Sequence, residues 1–336
     1  MNIQQKFVFA LIGLIFLLIH SFKIKGRRAT LTFFVFAFIA ALTKEVSSFI
    51  DPVTSAIVPP PFLLPEDSII LGALHVSLGW VFAFYLGWVF AEKILRKISS
   101  SQIRIFPMVI MTGLIVASFS YPIEATGINV GWWNWSFFEE RFVRFLVGDI
   151  HFFAMNAWFF FSVHSLLPYY LIECSGFREK PWKNLFIFIP VFRLIVMIYF
   201  GSGQPRVMYE YIFLVFLLIM LFIDRVKYTP IYSGVSDSKT KRKSLVASLP
   251  FLSTLIVIGV LSFVNLVVIK EPMIMLSLLP VFLLVLLSIE KVPAFIVYLI
   301  LPFFFVFFGV NAVPAAFPLL ILLLIYLSEK IKKRAV

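Results

Sequence analysis

Eleven apolar stretches run almost end to end through this chain of 336 residues, each about long enough to cross ~30 Å of hydrocarbon as a helix. They cover approximately 7–22, 29–50, 68–91, 104–122, 145–172, 184–201, 207–224, 248–269, 272–289, 293–310 and 313–328. In lipid, only a helix of this length satisfies every backbone N–H and C=O from within, so the expected fold is all-α. The chain reads as a polytopic integral membrane protein of the cell membrane with ten or eleven transmembrane helices. Composition agrees: 61% of residues are hydrophobic and only 14% charged, more apolar surface than a soluble domain of this size tolerates. Lys6 ahead of the first apolar run resembles the start of a signal peptide. The basic cluster follows the run, however, and no small-residue cleavage site is present, so the segment is expected to stay as a helix.

A formal net charge of +12 suggests nucleic acid at first sight. Its distribution indicates topology instead, and no nucleic-acid partner is expected. Lys23, Lys25, Arg27 and Arg28 follow the first helix, whereas the next loop, 51–67, has no Lys or Arg. The alternation continues: odd-numbered loops and the tail carry 22 basic residues, even-numbered loops and the N-terminus five. Lys44 and Arg193 fall inside helices, where pairing with embedded carboxylates is expected. By the positive-inside rule the N-terminus lies outside and the C-terminus in the cytoplasm. The linker 229–244, rich in Ser, Thr and Lys, divides a seven-helix module (1–228) carrying the embedded polar groups from a hydrophobic four-helix module (245–336) whose main polar interruptions are Asn265 and Asn311.

Ionisable groups inside a membrane are costly, and each is a functional candidate. With the topology above, Glu45, His75, Glu124, Asp149, His151 and Glu210 all fall toward the outer leaflet, with Asn156 deeper and Arg193 near the middle. They are expected to meet in one cavity, or else to be helix ends solvated at the interface. On a fifth helix running from 145, Asp149, Phe152, Phe153, Asn156 and Phe160 share a face, while His151, Met155 and Trp158 lie roughly opposite; Asp149 then pairs better with Asn156 than with His151, unless the helix starts after residue 151. Trp132, Trp133 and Trp135 in GWWNW suit a bilayer interface. They also suit an aromatic wall over an apolar substrate, where indole faces stabilise a cation.

Several chemistries are excluded or left without support. No nucleotide-binding glycine pattern is present, and no Asp-rich pair marks a diphosphate site. A metal would need scattered ligands such as Glu45, His75 and His151, and none is expected. The lone Cys174 rules out an internal disulfide. CSGFR at 174–178 resembles the cysteine motif of exosortases, membrane transpeptidases that also need a later catalytic His; the last His here is His164.

Residues 68–170 resemble the carotenoid biosynthesis protein family, which includes the membrane carotenoid hydratases. The matching residues are Glu124, Gly127, Gly131, Trp133, Trp135, Gly148, Asn156 and Trp158, with a short Gly-containing turn expected after Glu124. The preceding helix, GALHVSLGWVFAFYLGWVFAE, resembles the family's Gly-Trp helix. Asp149-Ile150-His151 stands where the family usually has a Pro, and the C-terminal hydrophobic extension is longer. The resemblance implies a cofactor-independent lyase that adds water across a terminal double bond of a polyene or isoprenoid lipid. A carboxylic acid protonates the alkene, aromatic faces stabilise the tertiary cation, and a base takes a proton from the attacking water. Glu124 or Asp149 would be the acid, with the other carboxylate or His151 handling the water. Trp132, Trp133, Trp135, Asn156, Trp158, His75 and Glu45 would line the substrate site. The competing expectation is a transporter or lipid-binding protein using the same outer-leaflet groups. Its partners would be membrane lipids and a hydrophobic lipid or carotenoid.

Overall fold

The computed structural model describes residues 3–48, 69–98, 102–129, 146–147, 150–181, 226–231, 249–250, 252–258, 261 and 281. Five long helices dominate: α1 (Ile3–Ile24), α2 (Arg27–Ser48), α3 (Ile69–Ile98), α4 (Ile105–Asn129) and α5 (Phe152–Glu173). They correspond to the first five apolar stretches of the sequence. The segments expected at 184–201, 207–224, 272–289, 293–310 and 313–328 lie outside the described residues, apart from Val281, as do Arg193 and Glu210. Among the described residues, two helices are long and apolar enough to cross a membrane, Ile70–Lys97 and Ile105–Glu124. On α1 the large apolar side chains Leu11, Ile12, Ile15, Phe16, Ile19 and Phe22 are exposed. Leu31, Val35 and Ile39 on α2 are exposed as well, at one-turn spacing.

The α1–α2 turn follows from local chemistry. Lys25 and Gly26 both donate backbone N–H bonds to the Ser21 carbonyl, at 2.7 and 3.2 Å, which closes α1. Gly26 takes a left-handed φ of 86°, where a Cβ is strained. Antiparallel α2 then starts at the next residue. Helix α3 forms the centre, packed on α1, α2 and α4, while α5 lies against α4 and α2. Aromatic rings fill the middle: Phe33, Tyr85, Trp88, Tyr169 and Tyr170 are fully buried. Phe33 lies 4.9 Å from Trp88 and meets Tyr169 edge-on at 5.1 Å.

Small residues let the backbones approach, as in membrane helix pairs generally. A Cβ on Gly87 would come 2.7 Å from Val116 of α4, and one on Gly113 would come 2.6 Å from Val163 of α5. Gly113→Leu is therefore expected to destabilise the protein by about 1–3 kcal/mol through overpacking of α4 on α5. A lowered thermal unfolding midpoint in detergent would show this. An unchanged midpoint would mean the α4–α5 contact is looser than drawn.

The basic loops converge at one end of the bundle. Residues 226–231 thread between the start of α4 and the end of α5. Ile105 N–H bonds to Val226 O at 2.9 Å, Tyr228 N–H to Ile103 O at 2.9 Å, and Thr229 N–H to Cys174 O at 2.7 Å. The α1–α2 turn joins them through the Arg28–Glu173 ion pair. Residues 25–28, 103–105, 173–178 and 226–231 thus share one end of the bundle.

Two boundaries correct the sequence reading. Helix α5 begins at Phe152, not near 145. Before it, Leu146–Val147 and Ile150–His151 pair as a two-residue antiparallel ladder, Val147 against Ile150. The residues between that pair in sequence are Gly and Asp, which favour tight turns over helix. Asp149 comes before the first residue of α5 in the chain and lies, like the Asn156 side chain, outside the described residues, so the expected shared face of the two falls outside them as well. Helix α4 runs past 122 to Asn129 with Pro122 inside it, so Glu124 is embedded in a helix and Gly127 belongs to helix, not to a turn.

Candidate functional site

At the end of the bundle opposite the basic loops, α2, α3, α4 and α5 each contribute one side chain to a continuous polar–aromatic chain. Glu45, near the end of α2, is fully buried; its Oε1 accepts from Trp80 Nε1 of α3 at 2.9 Å and from Lys44 Nζ at 2.7 Å. Glu124 of α4 is 5% exposed, and its Oε1 accepts from Trp158 Nε1 of α5 at 2.8 Å. The two indoles touch, with ring centroids 4.4 Å apart and planes inclined at 45°. Phe161 stands edge-on to Trp80 at 4.6 Å, and the Lys44 ammonium lies 5.5 Å from the Trp80 ring. Two buried carboxylates from different helices thus bracket one indole pair, each fixed by an indole N–H donor. Among the described residues, Glu45 Oε2 has no hydrogen-bond partner.

This geometry brings together three of the residues singled out from sequence: Glu45, Glu124 and Trp158. Lys44 pairs with an embedded carboxylate, as expected. His75 is half-buried on α3, five residues before Trp80, and so points about 140° away from it around the helix. His151 and Asn156 lie in the ladder and in α5, but their side chains are outside the described residues. Asp149, Trp132, Trp133 and Trp135 are outside them altogether. Trp80 was not singled out, although it sits in the Gly-Trp helix; nothing in the sequence marks which face of that helix meets Glu45.

A second polar centre escaped the sequence reading. It sits 12 residues along α3 from Trp80, about 18 Å away. Glu92 accepts from Lys25 Nζ at 2.5 Å, from Arg96 at 2.7 Å and from the Tyr228 hydroxyl at 3.3 Å. Trp88 Nε1 donates to that hydroxyl at 2.8 Å, and the Lys25 ammonium lies 4.7 Å from the Trp88 ring. Burial, then the nearby Glu92 charge, pushes the Tyr228 phenol well above its ordinary range, which keeps it a donor. The Glu92–Arg96 spacing of four residues was the available signal. Since every basic residue in these loops reads equally well as a topology charge, the buried pair is not distinguishable in sequence.

Cys174 follows α5 and is fully buried. Burial, its largest influence, pushes the thiol well above its ordinary range, so it lacks the thiolate that a cysteine nucleophile needs. No group of three His, Cys, Asp or Glu side chains among the described residues is placed to hold a metal ion.

No protein-family model, no curated protein and no solved structure matches this chain. Function is therefore argued from the site.

Proposed function

We propose that this chain is a polytopic protein of the cell membrane, its basic end in the cytoplasm, that adds water across a terminal double bond of a polyene or isoprenoid lipid by acid catalysis. One observation carries the reading: two buried carboxylates, Glu45 and Glu124, each hydrogen-bonded to one indole of the touching Trp80–Trp158 pair. The likeness of residues 68–170 to carotenoid hydratases supports it, and so do the exposed apolar side chains of α1 and α2, which suit contact with lipid.

The reaction needs a proton donor, a cation-stabilising surface and a base, with no redox step. Glu124 in its acid form gives its proton to the less hindered alkene carbon, leaving a tertiary cation. The indole faces of Trp80 and Trp158 stabilise that cation, and hydrogen-bonding to carboxylates makes the rings richer in electrons. Water adds to the cation, the resulting oxonium gives up a proton to a base, and the proton passes from that base or from solvent back to Glu124. Glu45, Asp149 and His151 are the candidates for that base.

Glu45 Oε2 favours a second reading, because a carboxyl oxygen without a hydrogen-bond partner among the described residues is open to a proton or a polar headgroup. A proton-coupled transporter or lipid-binding protein would use it so. Expression in cells that make lycopene separates the two. The hydratase reading expects a pigment heavier by one water on chromatography and mass spectrometry. An unchanged pigment profile, with the protein present in the membrane, counts against it and leaves transport or binding.

A further inference from the structure

We propose that a cleft at the basic end of the bundle binds a phosphate group, of the kind presented by an anionic lipid headgroup or a soluble phosphate ester. The cleft measures about 270 Å³ and is built from three separate segments: the α1–α2 turn with the start of α2, the end of α5 with Arg178, and the strap residues Pro230 and Ile231. That volume is near the lower end for small-molecule sites, ~300 Å³.

Arg27, Arg28 and Arg178 line it with one carboxylate, Glu173, together with Lys25, whose ammonium is already paired with Glu92. The ion pairs inside it are long: Arg28 Nη2 to Glu173 Oε1 is 3.5 Å and Arg178 Nε to Oε2 is 3.9 Å. A charge-assisted hydrogen bond is about 2.7–2.9 Å, so both contacts to Glu173 are longer than a direct hydrogen bond. The carboxylate is nearly buried at 6% exposure, whereas the side chains of Arg28 and Arg178 are 66% and 38% exposed. An incoming anion therefore meets the guanidinium groups first. Each guanidinium offers five N–H donors in a fork that fits phosphate oxygens. The first backbone N–H groups of α2 and the positive end of its dipole lie at the same place. Exposed Lys23, Arg104, Lys180 and Lys227 add to the field at this end.

The inference does not depend on the hydratase chemistry; it needs only that this end of the bundle meets the membrane surface or the solvent. The full chain is reconstituted in phosphatidylcholine nanodiscs with and without labelled phosphatidic acid, extracted and washed, and the retained lipid is measured. Selective retention of phosphatidic acid is expected. Arg28→Gln and Arg178→Gln should each reduce it about tenfold, the worth of one charge-assisted hydrogen bond. Lys227→Gln, on the same end but not lining the cleft, should leave it nearly unchanged. Displacement by inorganic phosphate would show that the cleft also accepts soluble phosphate; resistance to it would show that the lipid is the ligand. The proposal fails if phosphatidylcholine is retained equally, if the two Arg variants retain as much as the unchanged chain, or if Lys227→Gln loses as much as they do.

Discussion

Glu124→Gln is expected to lower hydration of a polyene about a hundredfold to ten-thousandfold, the usual contribution of a general acid, while the protein stays folded and inserted. The amide keeps the size of the side chain and still offers an oxygen to Trp158 Nε1, which sits 2.8 Å from Glu124 Oε1. What it lacks is the proton that the alkene must receive. Trp158→Leu should be milder, about two- to thirtyfold, because a cation–π contact is worth about 0.5–2 kcal/mol in the transition state. Glu45→Gln tests the partner carboxylate under the same conditions. Product formation on solubilised protein of verified fold is the measurement. Full activity in both amide variants would remove acid catalysis from this site and leave transport or lipid binding as the use of its two carboxylates.

Glu92→Leu should be the most destabilising single change in the described part of the molecule, at about 3–5 kcal/mol. Glu92 and Lys25 bury their charges together, with side chains 4% and 3% exposed. Removing the carboxylate strands the ammonium in the interior and also takes the acceptor from Tyr228, whose segment ties α4 to α5. Against a typical total stability of about 5–15 kcal/mol, that loss should deplete the folded population at growth temperature. The double change Glu92→Leu with Lys25→Met should recover most of it, because an apolar pair of similar volume carries no desolvation cost. Thermal unfolding of all three proteins in the same detergent decides the point. A double variant as unstable as Glu92→Leu would mean that the hydrogen bonds to Tyr228 and Arg96, and not the buried charge, account for the loss.

The amino-acid sequence by itself determined the helices. Apolar length and the absence of charge located α1 to α5, with one end of each of α3, α4 and α5 displaced by about two turns, because a long apolar stretch satisfies its backbone hydrogen bonds from within as a helix. Among the described residues, the basic positions Lys25, Arg27, Arg28, Arg104, Arg178 and Lys227 that the charge alternation puts on one side do meet at one end of the bundle. Glu45 and Glu124 stood out because a carboxylate is conspicuous in an apolar run. The start of α5 was legible only in part, because the turn chemistry of Gly148-Asp149 competes with a continuous apolar stretch.

Tertiary structure alone decided which faces meet. In these helices apolar residues surround the axis on every side, so no polar stripe tells α3 to turn Trp80 toward Glu45 and Trp88 toward Tyr228. That choice comes from packing: Gly87 and Gly113 set how closely α3, α4 and α5 approach, and the rings of Phe33, Tyr85, Trp88 and Tyr169 set their rotation. The indole pair between two carboxylates, and the burial of Lys25 on Glu92, exist only once those rotations are fixed. Neither helical periodicity nor residue spacing along one chain segment carries that information.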